Sequence, residues 1–250
     1  MKRLLITLML MASAIAFASC NSNKNSESGA SPQLTKPAKG EEIAVMETSM
    51  GKIKLKFFPE YAPKAVENFK THAKNGYYDG VIFHRVISEF MIQTGDPTGT
   101  GQGGESIWGE PFGVEPASEL HHIRGAIGTA KTMEPISIGS QFYIVQNSAL
   151  DAESVSEFES MLASHDQVVG KDEGGNDVKI SDIYPVDIME SYIKNGGTPW
   201  LDFEYTVFAQ VIDGMDVVDK IARVKTSSNS ATMDKPVEDV WIVGISFEKY

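Results

Sequence analysis

Two-residue alternation is the first regular pattern in the chain. Ile43 and Val45 stand two apart between Glu42 and Glu47, and Ile53, Leu55 and Phe57 alternate with polar neighbours beyond Ser49-Met50-Gly51-Lys52. Such a pair of runs around a short polar break predicts a β-hairpin. The period then changes. Pro63 can open a helix without losing a hydrogen bond, Val66, Phe69 and Ala73 recur at helical spacing, and Gly76 ends the run. Gly139 to Gln146 and Tyr205 to Val211 are rich in aromatic and β-branched residues and are bordered by Gly, Asn or Asp, which predicts two more strands. Met215, Val218 and Ile221 share one side of a second helix, and Val237 to Phe247 reads as a closing strand. The pattern is mainly β with two helices.

Two stretches fall outside this scheme. Residues 21–40 are rich in Ser, Asn, Lys and Pro and nearly lack large apolar side chains, so they cannot bury enough surface to offset the entropy of ordering. They are expected to form a tether. Residues 148–199 form an acidic insertion: from Asn147 to Pro199 there are 11 acidic and 3 basic residues, with Val155, Phe158 and Leu162 spaced as on a helix. This segment reads either as a solvated excursion or as an element that selects clients or partly covers a neighbouring site.

The start of the chain carries an address. Lys2 and Arg3 precede an apolar run from Leu4 to Phe17, too short to span a bilayer comfortably, so residues 1–19 are expected to be a signal peptide. The run ends in Phe17-Ala18-Ser19-Cys20, similar to the bacterial lipobox, and Cys20 is the only Cys. A lone thiol forms no internal disulfide. Cys20 is therefore expected to carry a lipid, residues 20–41 to tether the protein to a membrane, and residues 42–250 to form one domain in the cell envelope, exported to the periplasmic or outer-membrane side. Composition then narrows the partners. An apolar fraction of 42 % with 12 Phe and 8 Tyr supplies a core, and without Lys2 and Arg3 the balance is 34 acidic to 20 basic side chains. Such a surface repels phosphate backbones, so nucleic acid is excluded as a partner.

Chemistry is concentrated in one block: Phe83-His84-Arg85-Val86-Ile87, Phe90-Met91-Ile92-Gln93-Thr94-Gly95-Asp96 and Gly101-Gln102-Gly103-Gly104-Glu105-Ser106-Ile107. Downstream stand Gly139-Ser140-Gln141-Phe142-Tyr143-Ile144 and Trp200-Leu201-Asp202, then Tyr205-Thr206-Val207-Phe208. Together these motifs resemble the cyclophilin family of peptidyl-prolyl cis-trans isomerases, over residues 43–146 and 200–247. The resemblance implies a closed eight-stranded antiparallel barrel capped by two helices, with the acidic insertion partly helical. It implies isomerisation of X-Pro bonds without a cofactor or metal. Matched residue by residue, Arg85 is the catalytic donor and Gln93 holds the substrate backbone. Phe90, Met91, Tyr143 and Leu201 form the apolar cup for proline, and Gln141 supplies another hydrogen bond. Ala130 and Lys131 lie where the substrate strand binds, and Trp200 and Tyr205 border the pocket.

Physical chemistry supports the role of Arg85. Rotation about an amide abandons a resonance worth roughly 18–20 kcal/mol. In the twisted state the prolyl nitrogen regains a lone pair, so a fixed donor aimed there stabilises the transition state more than either planar form. A guanidinium stays protonated and presents its donors in a rigid plane. Three departures from the family stand out: Tyr205 replaces a common His, Tyr143 a usual Phe, and Phe203 a usual Gly after Leu-Asp. Trp200 matches the residue that contacts cyclosporin in drug-sensitive members, but a bulky Phe203 in a tight turn counts against high affinity for that drug. His84 is expected to be packed rather than catalytic, His121-His122 lacks the third ligand of a zinc site, and the Gly99 to Gly104 run is read as a loop near the cleft. The alternative function is a membrane-anchored chaperone or adaptor that binds proline-containing polypeptides with little turnover.

Overall fold

The computed structural model describes residues 30–172, 174–230 and 232–250. The signal stretch and Cys20 lie outside the described residues. The strands are β1 (Glu42–Thr48), β2 (Gly51–Phe57), β3 (Arg85–Ile87), β4 (Met91–Thr94), β5 (Phe112–Gly113), β6 (Ala126–Thr129), β7 (Ile136–Ile138), β8 (Phe142–Val145), β9 (Val168–Lys171), β10 (Asp177–Lys179), β11 (Val207–Asp213) and β12 (Ile242–Lys249). The helices are α1 (Pro63–Lys74), α2 (Ala152–Ala163), α3 (Ile180–Ile183), α4 (Val186–Asn195) and α5 (Met215–Ala222).

One antiparallel sheet of eight strands, in the order β12-β1-β2-β11-β6-β8-β4-β3, curls around the main core. Its two edges are joined by single bonds, from Phe83 N–H to the Val240 carbonyl (2.8 Å) and from Ile242 N–H to the Val81 carbonyl (2.9 Å), with one isolated bridge between Ile82 and Trp241. This corrects the expected closed barrel: strand number and direction agree, but no continuous ladder seals β3 to β12. The reason is local. β3 is only three residues long, and residues 81–84 before it form a single bridge at Ile82 rather than a strand.

The hairpin forms where the alternation predicts it, but with the opposite phase in its first strand. Ala44 pairs with Leu55 and Met46 with Ile53, so Ala44 and Met46 share the core face of β2 and Ile43 and Val45 point away from it. Helices α1 and α5 cover the core, α1 inserting Val66 and Phe69 and α5 inserting Val218 and Ile221. The Phe69 ring lies 5.2 to 5.7 Å from those of Phe57, Tyr78, Phe142 and Phe208. Aromatic contacts at such distances contribute beyond simple burial.

Where the structure describes it, the end of the predicted tether is docked on the domain. Pro32–Leu34 is a turn of 3-10 helix, and Gln33 is buried, its amide nitrogen donating to the His121 carbonyl (2.8 Å) and its oxygen accepting from His121 N–H (2.6 Å). Lys56 is covered by the same segment, donating to Pro32 O and Thr35 Oγ1. Composition cannot show this docking, because the partners lie 88 residues away.

The insertion folds on a core of its own. Asp151 caps α2 by accepting from Ser154 N–H (2.8 Å), the β9-β10 hairpin follows, and α3 and α4 return the chain to the main domain. Phe158, Ile188, Met189 and Tyr192 pack with Ile123, a residue just before β6 of the main sheet.

Candidate active site

Strand register builds the site. Arg85 on β3 faces Gln93 on β4, Gln93 faces Tyr143 on β8, and Tyr143 faces Gly128 on β6. Cross-strand partners point to the same side of a sheet, so these four positions form one row across four strands. The face is the outer one: Ile92 and Ile144, their alternating neighbours, enter the main core, whereas Met91, Tyr143 and Val145 belong to a second cluster with Val207, Phe58 and Leu120.

Phe90 would point inward if β4 began one residue earlier. It does not, because Glu89 adopts φ 55° and β4 starts at Met91. The turn swings Phe90 outward, where its ring lies 6.0 Å from that of Trp200. Leu201, Tyr205 and Ala130 pack on the same cluster. Lys131 places Nζ 4.6 Å from the centre of the Tyr205 ring, and that ring stands edge-on to Tyr143 at 6.2 Å. All eleven residues singled out for catalysis or substrate contact thus meet at one end of the outer face or border it.

A directional chain of amides orients the polar edge. Gln141 Nε2 donates to the carbonyls of Gly101 (3.1 Å) and Gly103 (2.8 Å), leaving its oxygen to accept from Gln93 Nε2 (2.9 Å). Gln93 Oε1 then faces Arg85 Nη1 at 3.5 Å. Because the glycine carbonyls only accept, both amide orientations follow from the chain itself. The loop supplying those carbonyls is gathered by Asp96, whose carboxylate accepts from the backbone N–H groups of Thr98, Thr100, Gly101 and Gly103.

Sequence reasoning missed Asp234. Its carboxylate lies 4.0 Å from Arg85 Nε, and its carbonyl accepts from Val86 N–H (2.8 Å), while its own φ is 66°. No local pattern marks a residue that meets its partner only through the fold. His84 is buried beside Arg85, and burial keeps its imidazole below the ordinary histidine range despite the opposing field of Asp96. A neutral ring there is no acid for neutral-pH chemistry. Among the described residues no three His, Cys, Asp or Glu side chains converge as a metal site.

Gly128 makes the Tyr143 position workable. A Cβ on Gly128 would lie 2.5 Å from both Cζ and Oη of Tyr143, closer than any side chain tolerates. Gly128→Ala should push the ring up into the cleft, raising KM about tenfold and costing about 1–3 kcal/mol of stability as overpacked cores do. Steady-state kinetics and thermal melting check both.

Comparison with known proteins agrees with this geometry. The family model described as cyclophilin type peptidyl-prolyl cis-trans isomerase matches residues 43–246. A protein of Staphylococcus saprophyticus named "Putative peptidyl-prolyl cis-trans isomerase" is 46 % identical over 215 residues, covering 86 % of this chain and 96 % of its own length. One of the same name from Staphylococcus haemolyticus is 46 % identical over 218 residues, covering 87 % and 97 %. Among solved structures, a cyclophilin type peptidyl-prolyl cis-trans isomerase of Cryptosporidium parvum, crystallised in the presence of the dipeptide Ala-Pro, superposes with a TM-score of 0.60 at 27 % identity, covering 83 % of this chain and 99 % of that one. Fold, outer-face row and relatives lead to the same assignment: the chain belongs to the cyclophilin-type peptidyl-prolyl cis-trans isomerases.

Proposed function

We propose that this isomerase turns X-Pro bonds of envelope or secreted polypeptides while held to a membrane by a lipid on Cys20, with Arg85 stabilising the twisted amide. The single observation that carries the catalytic part is the register row Arg85, Gln93, Tyr143, which sets a permanent donor beside an apolar notch. Proline settles against Phe90, Met91, Tyr143 and Leu201, and Gln93 receives or supplies a hydrogen bond to the peptide backbone. Ala130, Lys131, Gln141, Trp200 and Tyr205 border the chain on either side. As the bond rotates, the prolyl nitrogen becomes pyramidal and takes a hydrogen bond from the guanidinium. No bond to carbon breaks and no proton is transferred, which suits a site whose neighbouring imidazole is held neutral.

The reading is tested by the cis-to-trans rate of a model X-Pro peptide, which the protein should accelerate well beyond the uncatalysed tens to hundreds of seconds. An adaptor that only grips proline would bind the peptide and leave its rate unchanged. The anchor is tested separately. The mature protein purified from bacterial membranes should begin at Cys20 and carry the added mass of acyl chains; a mature form beginning elsewhere, without that mass, would remove the lipid.

A further inference from the structure

The insertion reaches the pocket floor through buried polar atoms. Tyr192, on α4, is fully buried and stacked on Phe158 of α2, with ring centres 4.9 Å apart. Its hydroxyl donates to Asp202 Oδ2 at 2.7 Å. The other carboxylate oxygen accepts from His122 N–H (2.7 Å) and from His122 Nδ1 (2.9 Å). His122 is itself fully buried, and its Nε2 lies 2.9 Å from the hydroxyl of Tyr143, whose ring is the cleft floor.

The donors fall into one order. A carboxylate only accepts, so Tyr192 and His122 Nδ1 must both donate to Asp202. With Nδ1 donating, a singly protonated ring presents Nε2 as the acceptor for the Tyr143 hydroxyl, and this is the order proposed here. Burial pushes the phenols of Tyr143 and Tyr192 well above their ordinary range, so both keep the proton this order requires. A second contact line runs beside the first. Phe203, one residue past Asp202, holds a φ of 65°, a strained value for a bulky side chain. Its ring packs on Tyr184 of the insertion (5.8 Å) and on His121 (5.6 Å). The turn that carries Trp200 and Leu201 is therefore fixed to the insertion at two successive residues.

We propose that Tyr192, Asp202 and His122 are positioning residues that hold the Tyr143 ring in place as the floor of the prolyl notch, making the inserted segment a working part of the isomerase site. The proposal deepens the function proposed above and rests on it. It replaces the picture of the insertion as a solvated excursion, because a buried tyrosine of that segment completes the hydrogen bonding of a buried carboxylate on the substrate turn.

The test is a double-mutant cycle on the full-length protein, with kcat and KM measured separately on an X-Pro peptide for wild type, Tyr192→Phe, Tyr143→Phe and the double variant. Each single change should raise KM about fivefold with kcat changed less than about twofold, and the double change should again raise KM about fivefold, since both act on one chain of bonds. Multiplied effects of about twenty-five-fold, or a Tyr192→Phe protein that melts earlier with an unchanged KM, would overturn the proposal. Nitrogen-15 spectra of the His122 ring in the wild type give a readout that needs no turnover and no variant. The proton should sit on Nδ1 with Nε2 as acceptor, and the opposite tautomer overturns the relay. Should the wild type fail to accelerate isomerisation, the proposed function falls while the His122 spectrum still decides whether the relay exists.

Discussion

Replacing Arg85 with Ala is expected to lower kcat/KM for an X-Pro peptide about a thousandfold, equivalent to about 4 kcal/mol of transition-state stabilisation, while peptide affinity changes little. The split follows from where the side chain sits. Arg85 is 45 % exposed at the start of β3, so it contributes little to the core, and its contacts are Gln93 on one side and Asp234 on the other. An exposed ion pair of this kind is worth little to stability. In the proposed mechanism the guanidinium is a donor needed only when the prolyl nitrogen becomes pyramidal, and an interaction made only in the transition state appears in kcat. Arg85→Lys should recover little of the loss, because a flexible ammonium presents no rigid plane of donors. Peptide binding measured alongside the rates completes the test: loss of both together would place Arg85 in ground-state binding and favour the adaptor.

The second large effect concerns Asp96. Its Oδ2 accepts from Gly101 N–H at 2.6 Å, Thr100 N–H at 3.1 Å and Gly103 N–H at 3.2 Å, and Oδ1 accepts from Thr98 N–H at 2.8 Å. Burial pushes the carboxyl pKa up, but the bonds from the Thr98 side chain and these backbone groups outweigh it and bring the pKa to about 2. Asp96→Ala leaves several backbone donors without a partner, and charged hydrogen bonds are worth about 1.5–3 kcal/mol each before relaxation. A net loss of about 3 kcal/mol in unfolding free energy is expected. Activity should fall as well, since the freed loop carries the Gly101 and Gly103 carbonyls that orient Gln141 and, through it, Gln93. The pH dependence has a definite sign. A pKa lowered on folding from 3.8 to about 2 adds stability that is complete above 3.8 and disappears as pH falls through about 2. The gap between wild type and variant in thermal melts should therefore be widest near neutrality and narrow toward pH 2.

Much of this candidate site is legible in the sequence, because its parts are local. Phe90, Met91 and Gln93 stand within four residues, and the match of this block to the cyclophilin motif, more than residue type alone, implies a notch and an amide beside a guanidinium. Helices α1 and α5 were equally plain, since apolar residues recur at helical spacing in both and Pro63 and Gly76 bound the first. The phase of β1 was not. Ile43 and Val45 are more apolar than Ala44 and Met46, yet register with Ile53 and Leu55 decides which pair faces the core, and register is a property of two strands. Phe90 was ambiguous for a related reason: its direction depends on a left-handed Glu89 that no residue preference announces.

Long-range partners were beyond reach altogether. Asp234 meets Arg85 across roughly 150 residues of chain, and Tyr192 meets Asp202 only because α4 packs back against the main domain. The departures from the family pattern were visible as single letters, but their meaning lay in pairs. Phe203 is the stranger residue in sequence, and in three dimensions it is one of two clasps on the insertion. Tyr143 in place of the usual Phe finds its hydroxyl a partner in His122, and Gly128 clears the room for its tip.

The most direct test of the central claim is a crystal structure of the protein with the dipeptide Ala-Pro. The proline ring is predicted to lie against Met91, Tyr143 and Leu201, with an Arg85 nitrogen within hydrogen-bond reach of the prolyl nitrogen. A dipeptide seated elsewhere, such as in the cleft lined by Thr35, Lys36, Arg124 and Asn195, with Arg85 turned away from it, would contradict the account.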